Sequence, residues 1–168
     1  IATIDHLDGY MQALLPANDD PSGGLSGFFG VFIADQVDST RIDAIAKATA
    51  AAGVWNVPTE SLFEHVTLSS PDPDEMARRP EMRYMPAETV AQWKGAKRQV
   101  ISDGNYSTET AVRAVEIRRQ LILALSKAGA GLLLGSDSPQ IFNVPGYALH
   151  HELEYLVQAG LSPFEALQ

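Results

Sequence analysis

Leu132-Leu133-Leu134-Gly135-Ser136-Asp137-Ser138-Pro139 runs an apolar triplet straight into a polar turn. Consecutive leucines with no polar residue between them suit a strand buried on both faces, the habit of a parallel sheet covered by helices. The chain before it agrees. Ser107-Thr108-Glu109 is a capping cluster, and over 110–128 Val112, Val115, Ile122 and Leu125 recur along one helical stripe that Gly129 and Gly131 end. The same rhythm occurs earlier. Asp38-Ser39-Thr40 caps a helix over 41–52 with Ile42, Ile45, Ala46 and Thr49 on one face; Gly53 stops it, and 54–57 is a strand closed by Pro58.

Working outward, Ala2-Thr3-Ile4 is a first short strand, followed by helical spacing over 7–15 and a loop over 16–30 marked by Asp19-Asp20-Pro21 and Gly23-Gly24. A last helix is expected over about 148–159, with a new start at Ser162-Pro163. The order strand, helix, strand, insertion, helix, strand, helix is an α/β pattern. The insertion, about 60–105, is polar and proline-punctuated, with short helices expected near 74–79 and 86–100. Its length reads as a lid or binding segment. Trp55 and Trp93 read as core or lid packing. The chain opens at Ile1 within a strand and stops at Gln168 within a helical run, so both ends read as cuts through a longer protein, and no signal-peptide layout is present.

With 168 residues, 45% hydrophobic and 20% charged, the composition is that of a soluble globular domain. A net charge of −9 argues against a nucleic-acid partner, which would need a basic stripe. The basic residues Lys94, Lys97, Arg98, Arg118 and Arg119 fall within helices and read as solvated faces. No apolar run approaches the ~20 residues of a membrane span. There is no cysteine, so a metal would be held by His, Asp or Glu, and cytoplasm and periplasm fit equally.

In parallel α/β folds chemistry gathers at the carboxyl ends of strands. Here those ends deliver His6, then Pro58-Thr59 with His65 close behind, then Asp137. A neutral imidazole and a carboxylate from two strand ends can share one cation. Each also has a plainer reading: His6 as a hydrogen-bonded structural residue, Asp137 as the cap of its own turn. His65 could aim at the site to contact substrate, or sit on the surface of a short helix. His150 and His151 are adjacent, point apart on a helix, and with Glu152 read as orienting it.

Taken in order, Thr3-Ile4-Asp5-His6, Gly53-Val54-Trp55-Asn56-Val57-Pro58-Thr59 and Leu132 to Pro139 resemble strands six, seven and eight of the amidohydrolase superfamily, in its imidazolonepropionase-like branch with the metal-dependent dipeptidases and prolidases. The tail Leu149-His150-His151-Glu152-Leu153-Glu154-Tyr155-Leu156-Val157-Gln158-Ala159-Gly160-Leu161-Ser162-Pro163-Phe164-Glu165-Ala166-Leu167 resembles the helix after strand eight. The resemblance implies a partial TIM (β/α)8 barrel, the C-terminal portion of one domain over 1–168, its remainder lying before Ile1. It implies Asp137 as metal ligand and proton shuttle, and His6 as a ligand of a second ion or a substrate contact. The family's strand-one His-x-His pair, strand-four lysine or glutamate and strand-five histidine have no counterpart here. One or two divalent ions, zinc foremost, are therefore expected, acting on a small amide or peptide substrate, in a protein that could be a homo-oligomer. A non-catalytic α/β binding module and an inactive amidohydrolase homologue are the alternatives.

Overall fold

The computed structural model describes residues 2–16 and 27–168. The glycine- and aspartate-rich part of the expected loop, 17–26, lies outside the described residues. Three short strands, β1 (Thr3–Asp5), β2 (Trp55–Val57) and β3 (Gly131–Leu132), pair in parallel in chain order, with Ile4 opposite Asn56 and Asn56 opposite Leu132. Parallel neighbours need a crossover, and helices supply it between each pair. The fold is thus α/β with a small parallel sheet, as expected.

Because side chains alternate along a strand, the register places Ile4, Asn56 and Leu132 on one face. That face meets the main core, built by α1 (Tyr10–Ala13), two short 3₁₀ turns within Phe28–Gln36, α2 (Ile42–Ala51) and α6 (Thr108–Ala128). Asn56 is fully buried there, accepting from the Tyr10 hydroxyl at 2.8 Å. The other face carries Thr3, Trp55 and Gly131. A Cβ at Gly131 would fall 2.3 Å from the Trp55 ring, so the indole lies across a position only glycine can fill. Trp55 is half exposed, and Leu133 and Leu134 are also exposed. The expectation of leucines buried on both sides is corrected: among the described residues, helices cover one face of the sheet only.

The insertion is more regular than its polar sequence suggests. It holds α3 (Glu60–Thr67), α4 (Pro73–Ala77), a 3₁₀ turn (Pro80–Tyr84) and α5 (Ala87–Ile101). A second core of Met76, Met82, Trp93, Phe142 and Val144 binds it to the segment after β3. The chain ends in α7 (Tyr147–Gln158) and α8 (Pro163–Leu167). No helix of the described residues is long and apolar enough to cross a membrane.

All eight residues of α3 are buried, polar ones included, so each needs a partner. This corrects the reading of the basic residues as solvated. Arg118 and Lys97 are fully buried and Arg119 is half-buried. Lys97 donates to the His65 carbonyl at 2.7 Å, and burial lowers its pKa to about 8. Lys94 and Arg98 do lie near the surface, both on Asp74. Val112, expected on the buried stripe of α6, is exposed; Val115, Ile122 and Leu125 are buried.

Glu152 of α7 is fully buried and accepts from the backbone N–H groups of Glu60 and Ser61 at 2.9 and 2.7 Å, capping α3 from a distant helix. Burial pushes its pKa up to about 7. Burial and the neighbouring Glu60 push Glu64 to about 7 as well, against the pull of Arg119. A raised folded-state pKa means the native protein holds protons that the unfolded chain has released. Stability should therefore be highest below about pH 4.5 as far as these groups go, and fall as pH rises through the window to about 7. The loss is on the order of 3 kcal/mol for Glu152. Urea titrations across that window check this, and Glu152→Gln, which cannot ionise, should flatten the dependence.

Candidate functional site

His6, Thr59 and Asp137 follow β1, β2 and β3, and all three adopt left-handed backbone, with φ of 60°, 51° and 51°. This conformation is uncommon outside glycine, and for β-branched Thr59 it is an outlier costing about 1–3 kcal/mol. Three such corners at the ends of three neighbouring strands mark the place where geometry is held against local preference.

The His6 ring has a defined polarity. Its Nδ1 lies 2.9 Å from Thr59 Oγ1, and that hydroxyl donates to the Pro58 carbonyl at 2.7 Å. With the hydroxyl proton on Pro58, Nδ1–H donates to Oγ1, and in the neutral ring this leaves a lone pair on Nε2. Nε2 faces Asp137 Oδ2 at 3.7 Å, and the same oxygen accepts from Gln140 Nε2 at 2.7 Å. Phe29 stacks on the imidazole with ring centroids 4.8 Å apart.

Behind this pair sits Arg118. It donates to the His6 carbonyl, the Pro58 carbonyl and Glu60 Oε2, each at 2.8 Å, with its guanidinium over the Phe63 ring. Two strand-end carbonyls and one oxygen of a buried carboxylate find their donor in one side chain, while Glu60 Oε1 has no partner. Thr59 occupies the cap position of α3, but its hydroxyl is spent on Pro58 and His6, which is why Glu152 does the capping.

His65 is buried, at neither the site nor the surface. Its Nδ1 lies 3.0 Å from Asn143 Oδ1 and its Nε2 3.1 Å from the Arg79 guanidinium. Burial, with Arg79 beside it, lowers its pKa to about 3. His151 packs edge-on against it, and His150 is exposed.

The donor set fits part of a metal centre. Tetrahedral zinc with bonds of about 2.0–2.1 Å puts its ligand atoms about 3.3 Å apart, close to the 3.7 Å between His6 Nε2 and Asp137 Oδ2. An imidazole that donates its other N–H to an oxygen is the usual state of a ligating histidine. Among the described residues no three His, Cys, Asp or Glu gather closely enough to hold an ion alone.

One solved structure has a similar fold: bottromycin amidohydrolase, at 22% identity and a TM-score of 0.59, over 99% of this chain and 34% of that one. This chain thus spans about a third of that protein. No family model matches the sequence, and no curated protein does.

Sequence reasoning brought His6 and Asp137 together but missed the residues that set them. Thr59 carried a signal, as a strand-end residue after proline. Arg118, Glu60, Gln140 and Asn143 carried none: an arginine in a helix reads as surface until its partners, 58 or more positions away, are known.

Thr59→Val, nearly isosteric, should remove the acceptor for His6 Nδ1–H and let both imidazole tautomers populate. Thr59→Ser should keep the Nδ1–H form. Imidazole ¹⁵N chemical shifts of His6 in the two variants report this directly.

Proposed function

We propose that this chain is the C-terminal portion of a metal-dependent amidohydrolase barrel that hydrolyses non-aromatic C–N bonds in small amides, peptides or cyclic amides. The observation that carries the reading is the His6–Asp137 pair: a lone-pair nitrogen, its tautomer set by Thr59, facing a carboxylate across two strand ends. The fold similarity to bottromycin amidohydrolase supports it. So do the exposed strand face at Trp55 and Leu133 and the outer edges of β1 and β3, which the remaining strands of a barrel would cover.

Asp137 would hold a divalent ion, joined by His6 where the site is binuclear, zinc by the donor chemistry, and the ion would supply Lewis acidity toward water and a carbonyl. The rest falls to the chain. Asp137 accepts the proton of the attacking water and passes it to the departing nitrogen, which leaves as a neutral amine. Gln140 holds Oδ2, leaving the other carboxylate oxygen to take the proton. Thr59 and Phe29 fix the plane of His6, so its nitrogen stays aimed at the site.

The test uses the full-length protein and a panel of dipeptides, N-acyl amino acids and cyclic amides. Asp137→Asn should lower kcat about 10²–10⁴-fold, because an amide cannot accept the proton, with a smaller loss of bound zinc. His6→Ala should strip one of two ions from a binuclear site, the outcome we expect; a mononuclear site would keep its metal and lose turnover or KM instead. Near wild-type turnover in Asp137→Asn removes the residue from the mechanism.

A further inference from the structure

His65 and Asn143 lie behind the strand ends, and their bonds run one way. The Ser136 carbonyl can only accept, so the group 2.7 Å from it on Asn143 is the amide nitrogen, Nδ2. The same nitrogen lies 3.3 Å from Ser61 Oγ. Oδ1 is then the end turned to His65, whose Nδ1 must carry the proton to bond it at 3.0 Å. That leaves His65 Nε2 an acceptor, matched by Arg79, which can only donate, at 3.1 Å. Each link forces the next, from Arg79 through His65 and Asn143 to Ser136.

The end of the chain is the peptide that joins Ser136 to Asp137. Asp137 stands at φ 51°, and φ is the rotation of its Cα against that peptide plane. Pinning the Ser136 carbonyl removes the freedom by which an aspartate would relax to ordinary backbone. Asn143 is fully buried and Ser136 and His65 nearly so, leaving water little access to replace the bonds.

We propose that His65 and Asn143 are a positioning pair for Asp137: the neutral imidazole orients the Asn143 amide, which restrains the Ser136 carbonyl and so holds Asp137 in its left-handed corner. Neither residue touches substrate. The low pKa of His65 suits this, since an imidazolium would set a second proton against Arg79. The inference rests on the reading of Asp137 as proton acceptor, but the restraint can be measured without turnover.

The test again uses the full-length protein. Asparagine places its amide nitrogen near where histidine has Nδ1, and glutamine near Nε2. His65→Asn therefore keeps the donor to Asn143, whereas His65→Gln loses it, although both leave similar voids. His65→Gln should lower kcat about 10–100-fold with KM within about twofold, and weaken zinc binding over the same range. His65→Asn should restore most of both. Amide hydrogen exchange at Asp137 and Ser138 should be faster in the glutamine variant alone. Equal effects of the two variants on exchange and zinc overturn the proposal even where Asp137→Asn abolishes activity. Should Asp137→Asn remain active, the functional reading fails while the exchange and zinc comparisons still decide the restraint. If neither variant folds, ¹⁵N shifts of the wild-type imidazole decide it: an Nδ1–H tautomer upholds the relay, an Nε2–H tautomer refutes it.

Discussion

Arg118 holds the end of the sheet together. A strand that stops leaves carbonyls without a ladder partner, and at the ends of β1 and β2 those of His6 and Pro58 are turned inward, where water cannot serve them. One guanidinium meets both and carries its charge to Glu60. Its planar fork suits the task in a way a lysine ammonium would not. The arrangement is demanding: a buried arginine is tolerated only while its carboxylate is present, and the reverse. The residue that joins the two strand ends therefore also ties α6 to α3, and the site's position follows from that helix.

α3 is the element that this junction serves. Its eight residues are all buried, yet it carries two glutamates, a serine, a histidine and a threonine. Glu60 answers to Arg118, Glu64 to Arg119, the first N–H groups to Glu152, and His65 to Asn143 and Arg79. Such a helix keeps an apolar stripe in Leu62, Phe63 and Val66, but its polar face is buried as well. Its stability comes from partners on α6, α7 and the segment after β3. Burial raises the pKa values of Glu64 and Glu152, and the neighbouring Glu60 carboxylate adds to it.

What could be read from the chain follows the range of the interactions involved. The helices over Ile42–Ala51 and Thr108–Ala128 announce themselves by period and cap: Asp38 accepts from the Thr40 N–H in the 3₁₀ turn that leads into the first, and Ser107 from the Thr110 N–H at the start of the second. The three strands are placed to within a residue or two, and glycine and proline bound the second and third of them. That His6 and Asp137 lie side by side was legible from strand ends read together with the resemblance. The surroundings of that pair were not. Lys97 and Arg118 carry charges that argue for water by default, and only the distant carbonyls of His65, His6 and Pro58 explain why they are inside. The exposure of Leu133 and Leu134 escaped notice for the opposite reason, since an apolar triplet looks the same whether both faces are covered or one.

The left-handed corners at His6, Thr59 and Asp137 explain why so much buried polar structure surrounds a small sheet. Each corner is a conformation its residue would leave if free, and each is restrained by a bond to the peptide or side chain beside it. Arg118 holds the His6 carbonyl, Thr59 is caught between His6 and Pro58, and Asn143 holds the Ser136 carbonyl. Apolar packing alone could not do this, because it is nearly indifferent to the orientation of a peptide plane. Hydrogen bonds are not, and a buried one left unmade costs about 1–3 kcal/mol. Directional bonds are therefore placed where direction matters, at three strand ends converging on one imidazole and one carboxylate, while the apolar core beneath them supplies the bulk of the stability.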